Sequence, residues 1–157
     1  MKRTIVFLLP ILVLILSACS GTAAKTATTP ANASAYSAES TTNPLERSDK
    51  QGAVTVTVTP INLNNPGDTL DFNVSLETHS VDLSMDVASL STLKTDTGIS
   101  VKGVSWDGQK GGHHVTGKLS FPASQDGKQI LQGAKTVTVT IQNVDAPERA
   151  FTWDVTE

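Results

Sequence analysis

Three observations predict an all-β fold, an immunoglobulin-like antiparallel β-sandwich of about seven strands. Apolar side chains recur at every second position through most of residues 54–155. Clusters of Gly, Pro, Asn and Asp separate these runs about every 8 to 12 residues. The runs fit within about 105 residues, enough chain to bury one core without covalent staples. A small barrel is the alternative.

The elements follow in order. Val54, Val56 and Val58 alternate with Thr55, Thr57 and Thr59, the pattern of a half-buried strand. Asn64-Asn65-Pro66-Gly67-Asp68 supplies a turn, after which Leu70, Phe72, Val74 and Leu76 alternate with Asp71, Asn73, Ser75 and Glu77. Val81, Leu83, Met85 and Val87 predict another strand. Residues 88–94 suggest a short helical turn, although Ser89, Ser91 and Thr92 are poor helix formers. Asp96-Thr97-Gly98 opens a strand at Ile99 and Val101, and Gly103 then shifts the alternation to Val104 and Trp106, which predicts a β-bulge. Val115, Leu119 and Phe121 continue the pattern up to a turn at Asp126-Gly127. Val137, Val139 and Ile141, then Phe151, Trp153 and Val155, complete it. The Cys-Trp-Cys framework of antibody domains is absent.

The first 50 residues are of another kind. Lys2 and Arg3 precede an apolar run over residues 5–16, too short and one-sided for a good membrane span, and the run ends at small residues. Leu16-Ser17-Ala18-Cys19 follows, and Cys19 is the sole cysteine. This arrangement resembles a bacterial lipoprotein signal at all four lipobox positions. The resemblance implies removal of residues 1–18, acylation of Cys19 with chains such as palmitate, and attachment to the outer face of a membrane. Ser20 in place of Asp implies the outer membrane where the organism has one. Two or three chains anchor durably, since each buried methylene adds about 0.8 kcal/mol. Residues 19–50 are rich in Ala, Ser and Thr, with only Tyr36 and Leu45 large and apolar. Such a segment cannot bury enough surface to offset the entropy of ordering it. It is expected to be a disordered tether, holding residues 51–157, the expected sandwich domain, about 30 Å from the membrane on average and up to roughly 100 Å away.

Residues 1–18 contain Lys2, Arg3 and no acid, so the remainder holds 10 basic and 15 acidic residues, a net charge of −5. No basic stripe exists to hold nucleic acid, and no polybasic segment to bind anionic headgroups. With Cys19 acylated, neither an internal disulfide nor a thiolate ligand is available.

The histidines are the first candidates for chemistry. His79 follows the strand that ends near Glu77, and the loop Trp106-Asp107-Gly108-Gln109-Lys110-Gly111-Gly112 leads into His113 and His114. Adjacent strand residues point to opposite faces, so His79 with either His113 or His114, joined by Asp107 or Met85, is the arrangement that would hold copper or zinc. No His-x-x-x-His spacing supports it, and the competing reading makes the histidines polar rim residues. Trp106, with Asp107 and Lys110, either anchors a partner or continues the alternation into the core. Trp153 belongs to the core. Asp68, Asp71, Asp82 and Asp86 either gather around Ca²⁺ or line a solvated outer face, and their spacing is not that of a calcium loop. There is no Gly-x-Ser-x-Gly elbow, His-Glu-x-x-His, phosphate-binding glycine loop or dinucleotide fingerprint, so catalysis is not expected.

Thr78-His79-Ser80-Val81-Asp82-Leu83, Trp106-Asp107-Gly108, Gly111-Gly112-His113-His114 and Pro147-Glu148-Arg149 with Phe151 and Trp153 together resemble an uncharacterised domain of other bacterial envelope proteins, over most of residues 53–156. The resemblance implies a recurring module and assigns no role. The sequence therefore leads to a lipid-anchored extracytoplasmic binding or structural module, noncovalently recognising an envelope protein or polysaccharide through the loop over residues 106–114. The alternative is a copper- or zinc-binding lipoprotein.

Overall fold

The computed structural model describes residues 43–155. The expected signal peptide, Cys19 and the expected tether as far as residue 42 lie outside the described residues. Within them the fold is an antiparallel, all-β sandwich with no helix. One sheet holds β1 (Arg47–Gln51), β2 (Val54–Pro60), β3 (Thr69–Thr78), β7 (His114–Pro122) and β6 (Ser105–Trp106), in the order β1-β2-β3-β7-β6. The other holds β11 (Glu148–Asp154), β10 (Thr136–Gln142), β4 (Ser91–Thr95) and β5 (Ser100–Lys102), in that order. A separate hairpin joins β8 (Ser124–Gln125) to β9 (Lys128–Gln129). Its turn is Asp126-Gly127, both with positive φ, as a type I′ hairpin turn requires.

The alternation in the sequence is the alternation of burial. Val54, Val56, Val58, Leu70, Phe72, Val74 and Leu76 from one sheet meet Val137, Val139, Ile141, Phe151 and Trp153 from the other. Each side chain so buried contributes about 1.5–3 kcal/mol. Phe72 lies at the centre, edge-on to Phe121 at 5.7 Å and tilted against Trp153 at 5.4 Å. Trp153 is buried, as the pattern predicts.

Eleven strands stand among the described residues where about seven were expected, and the differences have physical causes. Residues 81–87 form no strand. Leu83 and Val87 are buried and Val81 and Met85 pack against the core, so the period of two is real. It belongs to an extended segment carrying the chain from β3 in one sheet to β4 in the other, without a ladder of its own. The expected helical turn at 88–94 is instead a turn over residues 87–90 followed by β4. Only Leu93 on the inward face of β4 is apolar, because Ser91 and Thr95 are buried polar residues, and Ser91 satisfies its hydroxyl by donating to Val87 O at 2.6 Å.

Gly103 marks no bulge. It is the corner at which the chain leaves the four-stranded sheet and enters the five-stranded one. Its N–H donates to Ser91 O, continuing the pairing of β5 with β4, while the next N–H, of Val104, donates to Ser120 O and begins the pairing of β6 with β7. A Cβ at Gly103 would lie 2.6 Å from Ala88 O, so only glycine fits the corner.

The opposite seam is closed by residues assigned to the tether. β1 pairs with β2 from Arg47↔Val58 to Gln51↔Val54, so the folded unit begins before residue 50. Side chains join β1 to β11 reciprocally. Arg47 Nε donates to Thr152 O at 3.3 Å and Gln51 Nε2 to Glu148 O at 3.2 Å, while Trp153 Nε1 donates to Leu45 O at 2.6 Å. Arg149, 1% exposed, anchors the seam. Its guanidinium donates to Val144 O (3.2 and 3.0 Å), Asp49 O (3.0 Å), Asp49 Oδ1 (2.6 Å) and Gln51 O (2.7 Å). Burying a guanidinium is tolerable only when its donors are matched in this way.

Candidate functional site

The ladder of β3 with β7 sets out the histidine end of the sandwich. Thr78 N donates to His113 O at 2.9 Å, which fixes the phase of the strand where it emerges from the loop after β6. That loop is tied down further by Gly111 N donating to Leu83 O at 3.1 Å and by Gln109 Nε2 donating to His114 O at 3.2 Å. His79, His113 and His114 are all exposed at this end. The rings of His79 and His114 stand edge to face with centres 6.2 Å apart. His79 and His113 also line a shallow depression of about 380 Å³ with Ser80, Val81, Asp82 and Gly112.

The expected third partners do not join them. Met85 packs against the core. Asp107 is a structural residue, because its Oδ1 accepts the Lys118 N–H while its own N–H donates to Lys118 O, extending the β6–β7 ladder by one step. Among the described residues, and with the side chains as they stand, no group of three or more His, Cys, Asp or Glu is placed to hold a metal ion. The four aspartates considered for Ca²⁺ do not gather either. Asp68 and Asp71 lie at the start of β3, Asp82 lines the depression beside His79 at its far end, and Asp86 lines a separate cleft with Val104 and Lys110. Asp71 pairs with Lys118 at 3.7 Å instead.

Trp106 sits at the corner seam. Directly opposite Leu119 in the β6–β7 register, it shares the inward face, where it packs against the core while remaining half-exposed. Its ring lies over Gly108 and Gly117, and a Cβ on either glycine would collide with it. Next to it Val104 is 58% exposed. Val104, Ser105, Trp106 and Ala88 line a cleft of about 370 Å³ together with Asp86 and Lys110. Part of the ring lies against the core, as the core reading expects, and part at the surface.

Sequence reasoning missed a larger cleft, of about 740 Å³, at the end of the sandwich away from the histidines. Leu63, Pro66, Leu131 and Val155 line it together with the amides of Asn64, Gln129 and Gln132. None of these side chains ionises, and Ile61, 56% exposed, stands beside it. The turn at Asn64-Asn65-Pro66 was legible as a turn, and nothing in its local pattern marked it as a cleft wall.

Among the titratable groups Asp96 stands out. Its Oδ1 accepts the N–H of Lys135 at 2.9 Å and of Thr136 at 3.3 Å, and these bonds, the Lys135 one foremost, hold its carboxyl below the ordinary aspartate value. It pins the β4–β5 turn to the start of β10 and lies in neither cleft.

No known family model matches the sequence, and no curated protein matches it. Among solved structures the chain is similar to a DUF4426 family protein from Pseudomonas aeruginosa PAO1, with 15% identity, a TM-score of 0.41, and coverage of 69% of this chain and 94% of that one. Neither an activity nor a partner follows from that likeness.

Proposed function

We propose that the protein is a lipid-anchored extracytoplasmic recognition module of the bacterial envelope, noncovalently binding an envelope protein or polysaccharide at the corner seam. The lipobox ending at Cys19 supports the anchor. One observation supports the binding surface above the others. Val104 is the most exposed of the large hydrophobic side chains in the described surface, and with the half-exposed Trp106 it lines a cleft shared with Asp86 and Lys110. Exposed apolar side chains set beside charged ones are the make-up of a recognition surface, and Trp carries much of the energy of such contacts. Of the three partner residues expected from sequence, Trp106 and Lys110 remain in this reading and Asp107 serves to hold their loop.

Acyl chains at Cys19 would confine the domain near its partner, raising the local concentration so that a modest surface suffices. The test is a pair of variants in the full-length protein. Trp106→Ala/Lys110→Glu abolishes capture of the envelope partner while the circular dichroism spectrum stays that of the β-sandwich. Cys19→Ser moves the protein from the membrane to the soluble fraction. Capture undiminished in the double variant would refute the surface, and membrane retention of correctly processed Cys19→Ser protein would refute the anchor.

A further inference from the structure

Three groups on the outer face of the five-stranded sheet converge at its histidine end. Glu77 and His114 are directly opposite each other in the β3–β7 register, which places their Cβ atoms about 4.5–5.5 Å apart on one face. His79 is two residues beyond Glu77. It is exposed as Glu77 is, while Thr78 between them is buried, so all three side chains stand on the solvent side. The ring centres of His79 and His114 are 6.2 Å apart. An imidazole nitrogen binds a transition metal at about 2.0–2.1 Å, so two rings sharing one ion have centres no more than roughly 6.4 Å apart. The separation already lies within that reach, and rotation of two exposed rings closes the roughly 1 Å that a tetrahedral bond angle requires.

We infer that His79, His114 and Glu77 form a surface site for one divalent transition-metal ion, two imidazoles and a carboxylate, with water in the remaining positions and Cu²⁺ held more tightly than Zn²⁺. This goes beyond the recognition surface and depends on neither the anchor nor the partner. It also decides between the adjacent histidines. His114 is the one assigned because its ring stands 6.2 Å from that of His79 and its backbone lies directly opposite Glu77, whereas His113 precedes the strand and meets His79 only across the rim of the shallow depression. The site closes on the ion, because its side chains converge by rotation about exposed bonds. The excess of acidic over basic residues in the chain favours a cation.

The experiment is a calorimetric titration of the untagged full-length protein in detergent with Cu²⁺ and with Zn²⁺, alongside His79→Ala, His114→Ala, His113→Ala and Glu77→Gln, each verified as folded by circular dichroism. The site predicts one Cu²⁺ per chain, and affinity falling roughly tenfold or more in His79→Ala and in His114→Ala, less in Glu77→Gln, and not at all in His113→Ala. The electron paramagnetic resonance spectrum of the Cu²⁺ complex then shows coupling to two imidazole nitrogens, and to one in either single-histidine variant. Absent stoichiometric binding, binding indifferent to His114→Ala, or equal loss in His113→Ala overturns the assignment.

Discussion

The two seams of the sandwich are closed by opposite means. At the corner seam the chain itself passes from one sheet to the other through Gly103 and Val104, so closure is covalent and asks for only one glycine and a few backbone hydrogen bonds. At the other seam β1 and β11 belong to different sheets, and side chains reach across to the carbonyls of the opposite strand, with Arg149 at the centre. A seam that relies on side chains has few left over for anything else. The covalent corner leaves the side chains of Val104, Trp106 and Lys110 outside the closure, which is why the proposed recognition surface is put there and a structural role is given to the β1–β11 seam.

This contrast can be broken most severely at Arg149. Arg149→Ala removes a buried charge and leaves the Val144, Asp49 and Gln51 carbonyls and the Asp49 carboxylate without their donor. The expected loss is about 3–5 kcal/mol of stability in urea unfolding. An effect below about 1 kcal/mol, the range of exposed ion pairs, would mean the Arg149 network at the β1–β11 seam is dispensable. Next comes the corner. Gly103→Val forces a side chain against Ala88 O, with an expected cost of about 1–3 kcal/mol by the same measurement. A neutral result would show that the corner has room the geometry denies.

The smallest effect is sought at Asp96, which belongs to neither seam. Its carboxyl is held below the ordinary value by two backbone N–H groups, so the unfolded chain takes up the proton before the folded one does. The group therefore contributes stability above about pH 3.9, the usual aspartate value, and loses that contribution as pH falls through the folded value. Asp96→Asn is expected to flatten the acid limb of the stability profile while leaving the seams intact. An unchanged acid limb would remove Asp96 from the account.

What was legible in the sequence was whatever depended on apolar burial. The strands around Val56, Val74, Val139 and Trp153 announce themselves because every second residue is apolar, and Asp126-Gly127 announces its turn through the φ it needs. What was hidden was built from polar groups. β1, Arg-Ser-Asp-Lys-Gln, has no apolar period because it is held by hydrogen bonds. β4 hides because Ser91 and Thr95 occupy inward positions. The segment over residues 81–87 misleads in the other direction, since a chain lying along a core alternates in burial whether or not it joins a ladder. Arg149 did leave a signal. It falls on the inward phase of β11 with Phe151 and Trp153, and a basic residue at such a position must find partners inside. The sequence left open whether His79 shares an end of the fold with His113 and His114, and that the ring of His114 is the one facing His79 follows from the pairing of β3 with β7.

The recognition surface at the corner is the central claim, and site-specific photo-crosslinking in the native envelope tests it most directly. A photoreactive residue replaces Val104 in the full-length protein, and the same residue replaces Lys94, exposed on the outer face of the four-stranded sheet, as the comparison. The account predicts one discrete crosslinked species from the Val104 position, lost when Lys110→Glu is added, and none from the Lys94 position. No crosslink at Val104, or the same species from both positions, would contradict it.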